Sequence, residues 1–153
     1  MNRSSPRCVR VRCVGAIGFI TLATVRPESL ARWIERYERA WRAPDTSALE
    51  DLFTHDASYS PAPFEEPLRG RAAIAEFWEA SREAPDEAFE MKWQPVALEG
   101  RVGVARVEVR YGGPPRRVYR DIWIVDLDDH GRCVAFEEWP FFPGQPRVAP
   151  KDG

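Results

Sequence analysis

Histidine and cysteine are scarce in this chain of 153 residues. The two histidines, His55 and His130, and the three cysteines, Cys8, Cys13 and Cys133, form none of the closely spaced pairs that a zinc site requires. We therefore expect no bound metal, and the sequence predicts no other cofactor. Three cysteines cannot all pair with one another, which favours a reduced, cytoplasmic setting.

Basic residues are also few in most of the chain. Residues 1–27 hold five arginines and no acidic residue, whereas residues 28–153 hold 17 basic and 24 acidic residues. A nucleic-acid-binding domain needs positive charge concentrated on one face, so this acidic region excludes that class of protein. Only two of the 22 basic residues are lysine, a bias typical of a GC-rich bacterial genome.

Long apolar runs are missing as well. The uncharged stretch over residues 13–25 is far shorter than the about 20 residues of a membrane-spanning helix, so we expect no membrane partner. It has the outline of a secretory signal, but Ala23-Thr24-Val25 is a poor cleavage site. We predict that residues 1–25 are an unfolded leader or an over-extended start, with a signal peptide as the alternative. A folded domain is predicted over residues 26–142, and an irregular tail over residues 143–153.

Aromatic residues, by contrast, make up 12% of the chain, with six tryptophans and eight phenylalanines. The spacing of apolar residues predicts a helix over residues 28–43. Its apolar face consists of Leu30, Trp33, Ile34, Tyr37 and Trp41. A capping-box pattern from Ser47 to Glu50 predicts a short second helix that runs through Phe53. A third helix is predicted over residues 71–84, where Pro85 would end it.

Strand-like sequence lies between and after these helices. A short strand is predicted around Tyr59, and four longer strands over residues 88–98, 102–111, 117–127 and 132–142. Helices grouped before an antiparallel sheet indicate an α+β fold. A strongly bent sheet folded round the helices would enclose a conical cavity, which the aromatic residues would line.

Several short motifs follow one another along the chain: Trp33, Tyr37 and Trp41 at intervals of four; Leu52-Phe53, Asp56-Ala57 and Tyr59; Pro63-Phe64, Glu66-Pro67, Gly70-Arg71, Ile74 and Trp78; and, later, Arg120-Asp121-Ile122-Trp123 and Glu137-Glu138-Trp139-Pro140. Together these motifs resemble a known family, the SnoaL-like branch of the nuclear transport factor 2-like superfamily. The similarity extends over about residues 29–142.

The resemblance implies a cone-shaped fold in which three N-terminal helices pack on a strongly bent, mostly antiparallel sheet. It also implies a homodimer. It does not imply one reaction, because this superfamily includes isomerases, dehydratases, epoxide hydrolases, polyketide cyclases and pure binding proteins on one scaffold.

Asp121 is the first candidate for a catalytic residue. Side chains alternate along a strand, so Asp121 shares a face with Trp123, and an acid on an aromatic wall has a raised pKa that suits acid/base chemistry. The same alternation groups Glu137 with Cys133, and we expect Glu137 to assist. Tyr59 could donate a hydrogen bond to a substrate oxygen. The alternative is that Asp121 pairs structurally with an arginine.

Aromatic side chains supply the candidates for a ligand pocket. They are Trp33, Tyr37, Trp41, Phe64, Phe77, Trp78, Trp93, Trp123 and Trp139. Together with the carboxylates they predict a protein that binds a small apolar molecule.

Two functions remain open from the sequence. The first is a cofactor-free acid/base enzyme of the isomerase, dehydratase, cyclase or hydrolase type. The second is a non-catalytic ligand-binding or dimerisation module. Epoxide hydrolases of this superfamily use an Asp-Arg-Asp set, and its ketosteroid isomerases use a Tyr with two acids. The sequence holds such residue types, but no spacing shows that they converge.

Overall fold

The computed structural model describes residues 26–82, 84, 87–114 and 116–149. The predicted leader, residues 1–25, lies outside the described residues and stays a prediction, as does the role of Pro85. The helices are α1 (Pro27–Arg42), α2 (Leu49–Leu52) and α3 (Arg71–Ser81). The strands are β1 (Phe53–Ser60), β2 (Leu68–Arg69), β3 (Phe89–Glu99), β4 (Val102–Tyr111), β5 (Arg117–Leu127) and β6 (Cys133–Phe141). The predicted α+β class is confirmed.

Within the described residues the strands form one curled six-stranded sheet in the order β2-β1-β6-β5-β4-β3. Strands β3 to β6 are the predicted antiparallel meander. Strand β1 pairs in parallel with β6, which brings the middle of the chain next to its end. The predicted strand around Tyr59 is longer than expected, because α2 ends at Leu52 and leaves Phe53 free to open β1.

Helix α1 carries the apolar face that the sequence predicts. Leu30, Trp33, Ile34 and Tyr37 are buried against the sheet, and the Trp33 indole N–H donates to the carbonyl of Leu52 over 2.9 Å. The helix ends before Pro44, where Ala43 is extended with ψ of 150°. This anchored helix forms one wall of the interior.

Close packing holds α1 on the sheet at Gly103. A β-carbon placed on Gly103 would lie 2.9 Å from two side-chain carbons of Leu30, which is fully buried. Contacts this short do not occur between real side chains, so glycine is what lets helix and strand approach each other at this point.

Two helix predictions were wrong in detail. The capping box does not form, because the Ser47 hydroxyl donates to Asp45 Oδ1 over 2.6 Å and Ala48 becomes the N-cap of α2. Helix α3 ends at Ser81 and not near residue 84, since Arg82 turns extended and its guanidinium donates to the carbonyls of Ala40 and Asp45. The first departure is a local hydrogen bond that competes with helix geometry, whereas the second is a set of long-range hydrogen bonds from the end of α3 to residues near the end of α1.

The remaining described segments are exposed. Residues 142–149 contain no helix or strand and lie at the surface. Among the described residues, no helix combines the length and the apolar character that a membrane crossing needs.

Candidate active site

A cavity of about 220 Å³ lies between the inner face of the sheet and the helices. Its lining is largely aromatic and includes two carboxylates. The lining residues are Tyr37, Trp41, Pro61, Phe77, Ser81, Phe89, Met91, Val109, Tyr111, Arg117, Tyr119, Asp121, Trp123, Glu138 and Pro140. An apolar pocket with a few converging polar groups is the usual form of a small-molecule site.

A second groove, of about 520 Å³, crosses the outer face of the sheet. One of its charged side chains, Glu108, accepts hydrogen bonds from Arg110 over 2.6 Å and from Arg120 over 3.0 Å. Ion pairs on an exposed face are screened by water. The inner cavity is therefore the better candidate for chemistry, although it is the smaller of the two.

Asp121 occupies the predicted position. It lies on β5 beside Trp123 and lines the cavity, and only 4% of its surface is exposed. No arginine makes a salt bridge with it among the described residues, so the predicted alternative of a structural ion pair does not form there. Burial without a cationic partner is an environment that favours the neutral acid.

The placement predicted for Glu137 was wrong, and a bulge in β6 is the reason. Leu127 pairs with Cys133 but its neighbour Asp126 pairs with Ala135, so Val134 is an extra residue in β6. An extra residue reverses the alternation beyond it. Phe136 and Glu138 therefore face inward.

Glu137 faces outward as a result. Its side chain is exposed and accepts a hydrogen bond from the Trp139 indole over 3.2 Å. The carboxylate that joins Asp121 in the cavity is Glu138, the next residue along the chain. Only the unpaired Val134 distinguishes the two glutamates, and no sequence signal used above would have located it.

Asp121 and Glu138 interact closely. Burial and the charge of Glu138 together raise the pKa of Asp121 to about 8, and a hydrogen bond between the carboxyls acts in the same direction. Burial raises the pKa of Glu138 as well, but hydrogen bonds from Tyr59 and Asp121 oppose that rise. Asp121 therefore holds its proton at neutral pH.

Tyr59 contacts this pair from β1. It is buried, and its hydroxyl donates to Glu138 Oε2. Burial and the charge of Glu138 raise the pKa of Tyr59 well above its usual value, so the hydroxyl keeps its proton and remains a donor. Tyr59 is not among the residues that line the cavity. It orients Glu138, and does not point at a ligand as the sequence interpretation suggested.

Two buried polar atoms at the cavity have no hydrogen-bond partner among the described residues. They are Asp121 Oδ1 and the indole nitrogen of Trp123. The Trp123 N–H lies near both carboxyls and lowers the pKa of each, yet it reaches hydrogen-bond geometry with neither. Buried polar groups are normally paired, so these two enclosed atoms are exceptions, and both lie beside the Asp121–Glu138 pair.

The predicted aromatic residues divide into three groups. Tyr37, Trp41, Phe77 and Trp123 line the cavity. Trp33 and Trp78 are fully buried in the core, outside the cavity lining. Trp93 borders the outer groove, Trp139 is on the outer face with 39% of its surface exposed, and Phe64 is fully exposed. The prediction of a pocket residue is therefore not supported for Trp33, Trp78, Trp93, Trp139 and Phe64.

Several lining residues escaped the sequence analysis. Tyr119 and Tyr111 both belong to the cavity wall. Tyr119 shares the strand face of Asp121 and pairs across to Val109, so strict alternation along β5 could have identified it. Among the described residues no three His, Cys, Asp or Glu side chains come together as a metal site requires.

Comparisons with known proteins identify the family and the fold. The sequence model of a family described as SnoaL-like domain matches residues 34–136. No curated protein matches the sequence significantly.

Solved structures of similar fold include three with named activities. An LEH-like epoxide hydrolase of M. tuberculosis is 17% identical with a TM-score of 0.59, over 74% of this chain and 84% of that one. An epoxide hydrolase/cyclase-like enzyme of pyran ring formation in salinomycin is 15% identical with a TM-score of 0.56, over 74% and 92%. A ketosteroid isomerase candidate from Kribbella flavida is 16% identical with a TM-score of 0.56, over 81% and 84%. At these identities the likeness shows the fold alone.

Proposed function

The chain belongs to the SnoaL-like domain family, and we propose that it is a cofactor-free acid/base enzyme that moves a proton on a small apolar carbonyl compound. The observation that carries this proposal is that the carboxyl groups of Asp121 and Glu138 lie together inside an aromatic cavity. Two carboxyls of unequal proton affinity supply a base and an acid at the same pH.

Glu138 is the proposed base. Its carboxylate would take a proton from the carbon next to the substrate carbonyl, and the C–H electrons would form a carbon–carbon double bond as the carbonyl electrons move to oxygen. In a substrate with a carbon–carbon double bond between the β- and γ-carbons, the protonated Glu138 would then return that proton to the γ-carbon, as the electrons on oxygen re-form the carbonyl and the double bond moves into conjugation. The net change is an isomerisation, and no electron or co-reactant is needed.

Asp121 is the proposed acid. Asp121 is neutral at pH 7 and donates to Glu138; once Glu138 has taken the substrate proton, Asp121 would turn its own proton to the oxygen that has become negative in the intermediate. Water-poor surroundings strengthen that interaction, because the effective dielectric constant is low. Tyr59 contributes indirectly, since its hydroxyl holds the Glu138 carboxylate in place.

The side chains around Asp121 favour isomerisation over the opening of an epoxide. Epoxide hydrolases of the superfamily use an Asp-Arg-Asp set. The one arginine among the described cavity residues is Arg117, which pairs with Glu87 and lies 4.5 Å from the ring centre of Tyr111. An arginine engaged in this way does not bridge two catalytic acids.

The experiment uses cyclohex-3-enone, which becomes conjugated cyclohex-2-enone when a proton moves from carbon 2 to carbon 4. Conversion is followed by ultraviolet absorbance with the full chain. Glu138→Gln should slow the reaction by about 10²–10⁴-fold. Glu137→Gln is the matched control, one residue away and exposed, and should retain the rate within about twofold. No conversion by the unsubstituted protein, or equal loss in both variants, would contradict the proposal.

A second candidate is a non-catalytic binding module. The specific support is that Trp33, Trp78 and Trp123 are buried and fill much of the interior. Saturable quenching of tryptophan fluorescence by cyclohex-2-enone, without conversion of cyclohex-3-enone, would favour this candidate.

A homodimer and a cytoplasmic setting complete the proposal. The support for a dimer is the outer face of the sheet, where Trp139 and Phe141 expose 39% and 50% of their surfaces. Exposed aromatic side chains on one face are typical of contact surfaces. Light scattering after size-exclusion chromatography tests the dimer, and Trp139→Glu should convert it to a monomer. A monomer from the unsubstituted chain at micromolar concentration would contradict it.

A further inference from the structure

The cavity opens toward the start of β5. Along the inner face of this strand Trp123 and Asp121 are buried, whereas Tyr119 is only half-buried, and all three line the cavity. Residues two apart on a strand are separated by about 7 Å along it. A ligand that meets the Asp121 and Glu138 carboxyls at one end would therefore place its opposite end near Tyr119.

A row of aromatic rings crosses this open end. Phe89 of β3 meets Tyr111 of β4 with ring centres 5.7 Å apart, and Tyr111 meets Tyr119 of β5 at 6.2 Å. Phe142, which directly follows β6, meets Tyr119 at 6.2 Å with the two ring planes 75° apart. Interacting aromatic pairs have ring centres about 4.5–7 Å apart. The row therefore continues from the cavity wall to the protein surface at Phe142.

Phe142 differs from the other exposed phenylalanines in what it contacts. Phe64, Phe141 and Phe142 are the exposed phenylalanines among the described residues. Single apolar side chains at the surface are normal and need no explanation. Of these three, Phe142 is the one whose ring contacts a residue of the cavity lining. Its exposed surface is therefore continuous with the cavity.

A tight turn holds Phe142 at this position. In the run Phe142-Pro143-Gly144-Gln145, the Gln145 N–H donates to the Phe142 carbonyl over 3.4 Å, and Gly144 has a φ of 94°. Proline in the second position and a glycine of positive φ in the third are typical of a type II turn. The Gln145 side chain closes the turn, because its Oε1 accepts from the Phe142 N–H over 3.0 Å. Four consecutive residues thus fix the backbone that carries the Phe142 ring.

The charge at the open end is balanced. Arg117 lines the cavity there, pairs with Glu87 and lies 4.5 Å from the ring centre of Tyr111. The two carboxyls of the lining, Asp121 and Glu138, lie farther in. The open end therefore favours an uncharged group, and an aromatic ring gains edge-to-face contacts there that a saturated ring lacks.

We propose that Tyr119 and Phe142 form a subsite for an aromatic ring, and that the preferred substrate carries an aryl group on the side opposite its reacting carbonyl. This rests on the proposed function, because it names the substrate class of that same site. Phe142 would determine specificity, since it touches the aryl group and takes no part in the transfer of the proton.

The test compares three ketones: cyclohexanone, 4-phenylcyclohexanone and 4-cyclohexylcyclohexanone. They contain no double bond that can move, so binding is measured apart from turnover. Isothermal titration calorimetry of the full chain gives the dissociation constants. The phenyl compound should bind about 2- to 10-fold more tightly than the cyclohexyl compound, the effect of one aromatic pair. Equal binding of the two, or no binding of the phenyl compound, would overturn the proposal.

Three variants locate the preference. Phe142→Ala should weaken 4-phenylcyclohexanone binding at least about threefold and leave cyclohexanone binding within about twofold. Phe64→Ala is the control, because it removes an exposed phenylalanine outside the cavity lining, and should keep the preference. Gly144→Ala retains every ring but strains the turn at its positive φ, so the preference should fall there too. A preference that survives both Phe142→Ala and Gly144→Ala would overturn the role of Phe142.

The outcomes separate the two proposals. Glu138-dependent conversion of cyclohex-3-enone without a Phe142-dependent preference for the phenyl compound would overturn the aryl subsite and leave the proposed function intact. A Phe142-dependent preference without Glu138-dependent conversion would support the subsite as a binding site and overturn the proposed function.

Discussion

Tyr59 and Glu138, 79 residues apart in the sequence, are joined by a hydrogen bond from the tyrosine hydroxyl to the buried carboxylate. The bond depends on the parallel pairing of β1 with β6, in which Tyr59 is opposite Phe136. Strand partners on one face bring their side chains together. The contact opposes the rise in pKa that burial causes in Glu138.

Tyr59→Phe should move the acid limb of the pH–rate profile upward. The Tyr59 hydrogen bond lowers the pKa of Glu138, so its removal lets burial raise that pKa further. A hydrogen bond to a charged group is worth about 1.5–3 kcal/mol, so we expect a shift of about one pH unit or more. The measurement is the rate of cyclohex-3-enone conversion across pH.

Tyr119→Phe is the comparison for that experiment. Tyr119 lines the cavity, but among the described hydrogen bonds it makes no contact with Glu138. The acid limb of the Tyr119→Phe profile should therefore lie at the same pH as in the unsubstituted protein. If both variants shift the limb alike, the effect belongs to cavity polarity and not to the Tyr59 bond.

The pH–rate profile of the unsubstituted protein should be bell-shaped, with its alkaline limb near pH 8. Activity requires Glu138 charged and Asp121 protonated, and the pKa of Asp121 is about 8. Asp121→Asn cannot lose a proton, so its alkaline limb should disappear while some donor ability remains. An alkaline limb that persists unchanged in Asp121→Asn would assign it to another group.

The contribution of Asp121 to the free energy of unfolding should fall as the pH rises from about 4 to about 8. This contribution is measured as the difference in that free energy between the unsubstituted protein and Asp121→Asn. The folded pKa of Asp121, about 8, lies above its ordinary value of 3.8. The unfolded chain therefore releases its proton first, and the stabilisation present below pH 4 is lost as pH rises through the folded pKa. Urea unfolding at several pH values gives this difference, and an opposite slope would contradict a neutral Asp121.

Gly103→Ala should destabilise the fold by about 1–3 kcal/mol, the usual cost of overpacking a filled core. The new β-carbon would lie 2.9 Å from Leu30, which cannot move away because it is fully buried. Gly113→Ala is the control, since nothing lies within 4 Å of its added carbon. Urea denaturation of both variants makes the comparison, and equal stability would show that α1 can shift outward.

The sequence predicted the elements that depend on local pattern. The residue bounds of β5, the buried face of α1 and the inward direction of Asp121 follow from periods of 2.0 and 3.6 residues, and all three agree with the structure. The family resemblance is confirmed by the match over residues 34–136.

What failed depends on contacts between distant segments. The parallel pairing of β1 with β6 joins residues that no local pattern connects. The apolar side chain of Phe64 suggested a pocket, yet Phe64 lies fully exposed. Hydrophobic character alone does not place a residue inside, because folded proteins keep much apolar surface in contact with water.

Val134 divides β6 into two segments whose alternation of side chains is offset by one residue. Before Val134 the inward positions are in step with Cys133, and after it they are in step with Glu138. Glu137 and Glu138 are adjacent, so either alternation would place one carboxylate in the interior. Only the observed alternation also places Phe136 there. Deletion of Val134 would restore one continuous alternation along β6 and would leave Glu138 facing inward. The position of one unpaired residue therefore decides which acid of an adjacent pair faces the cavity and which faces the solvent.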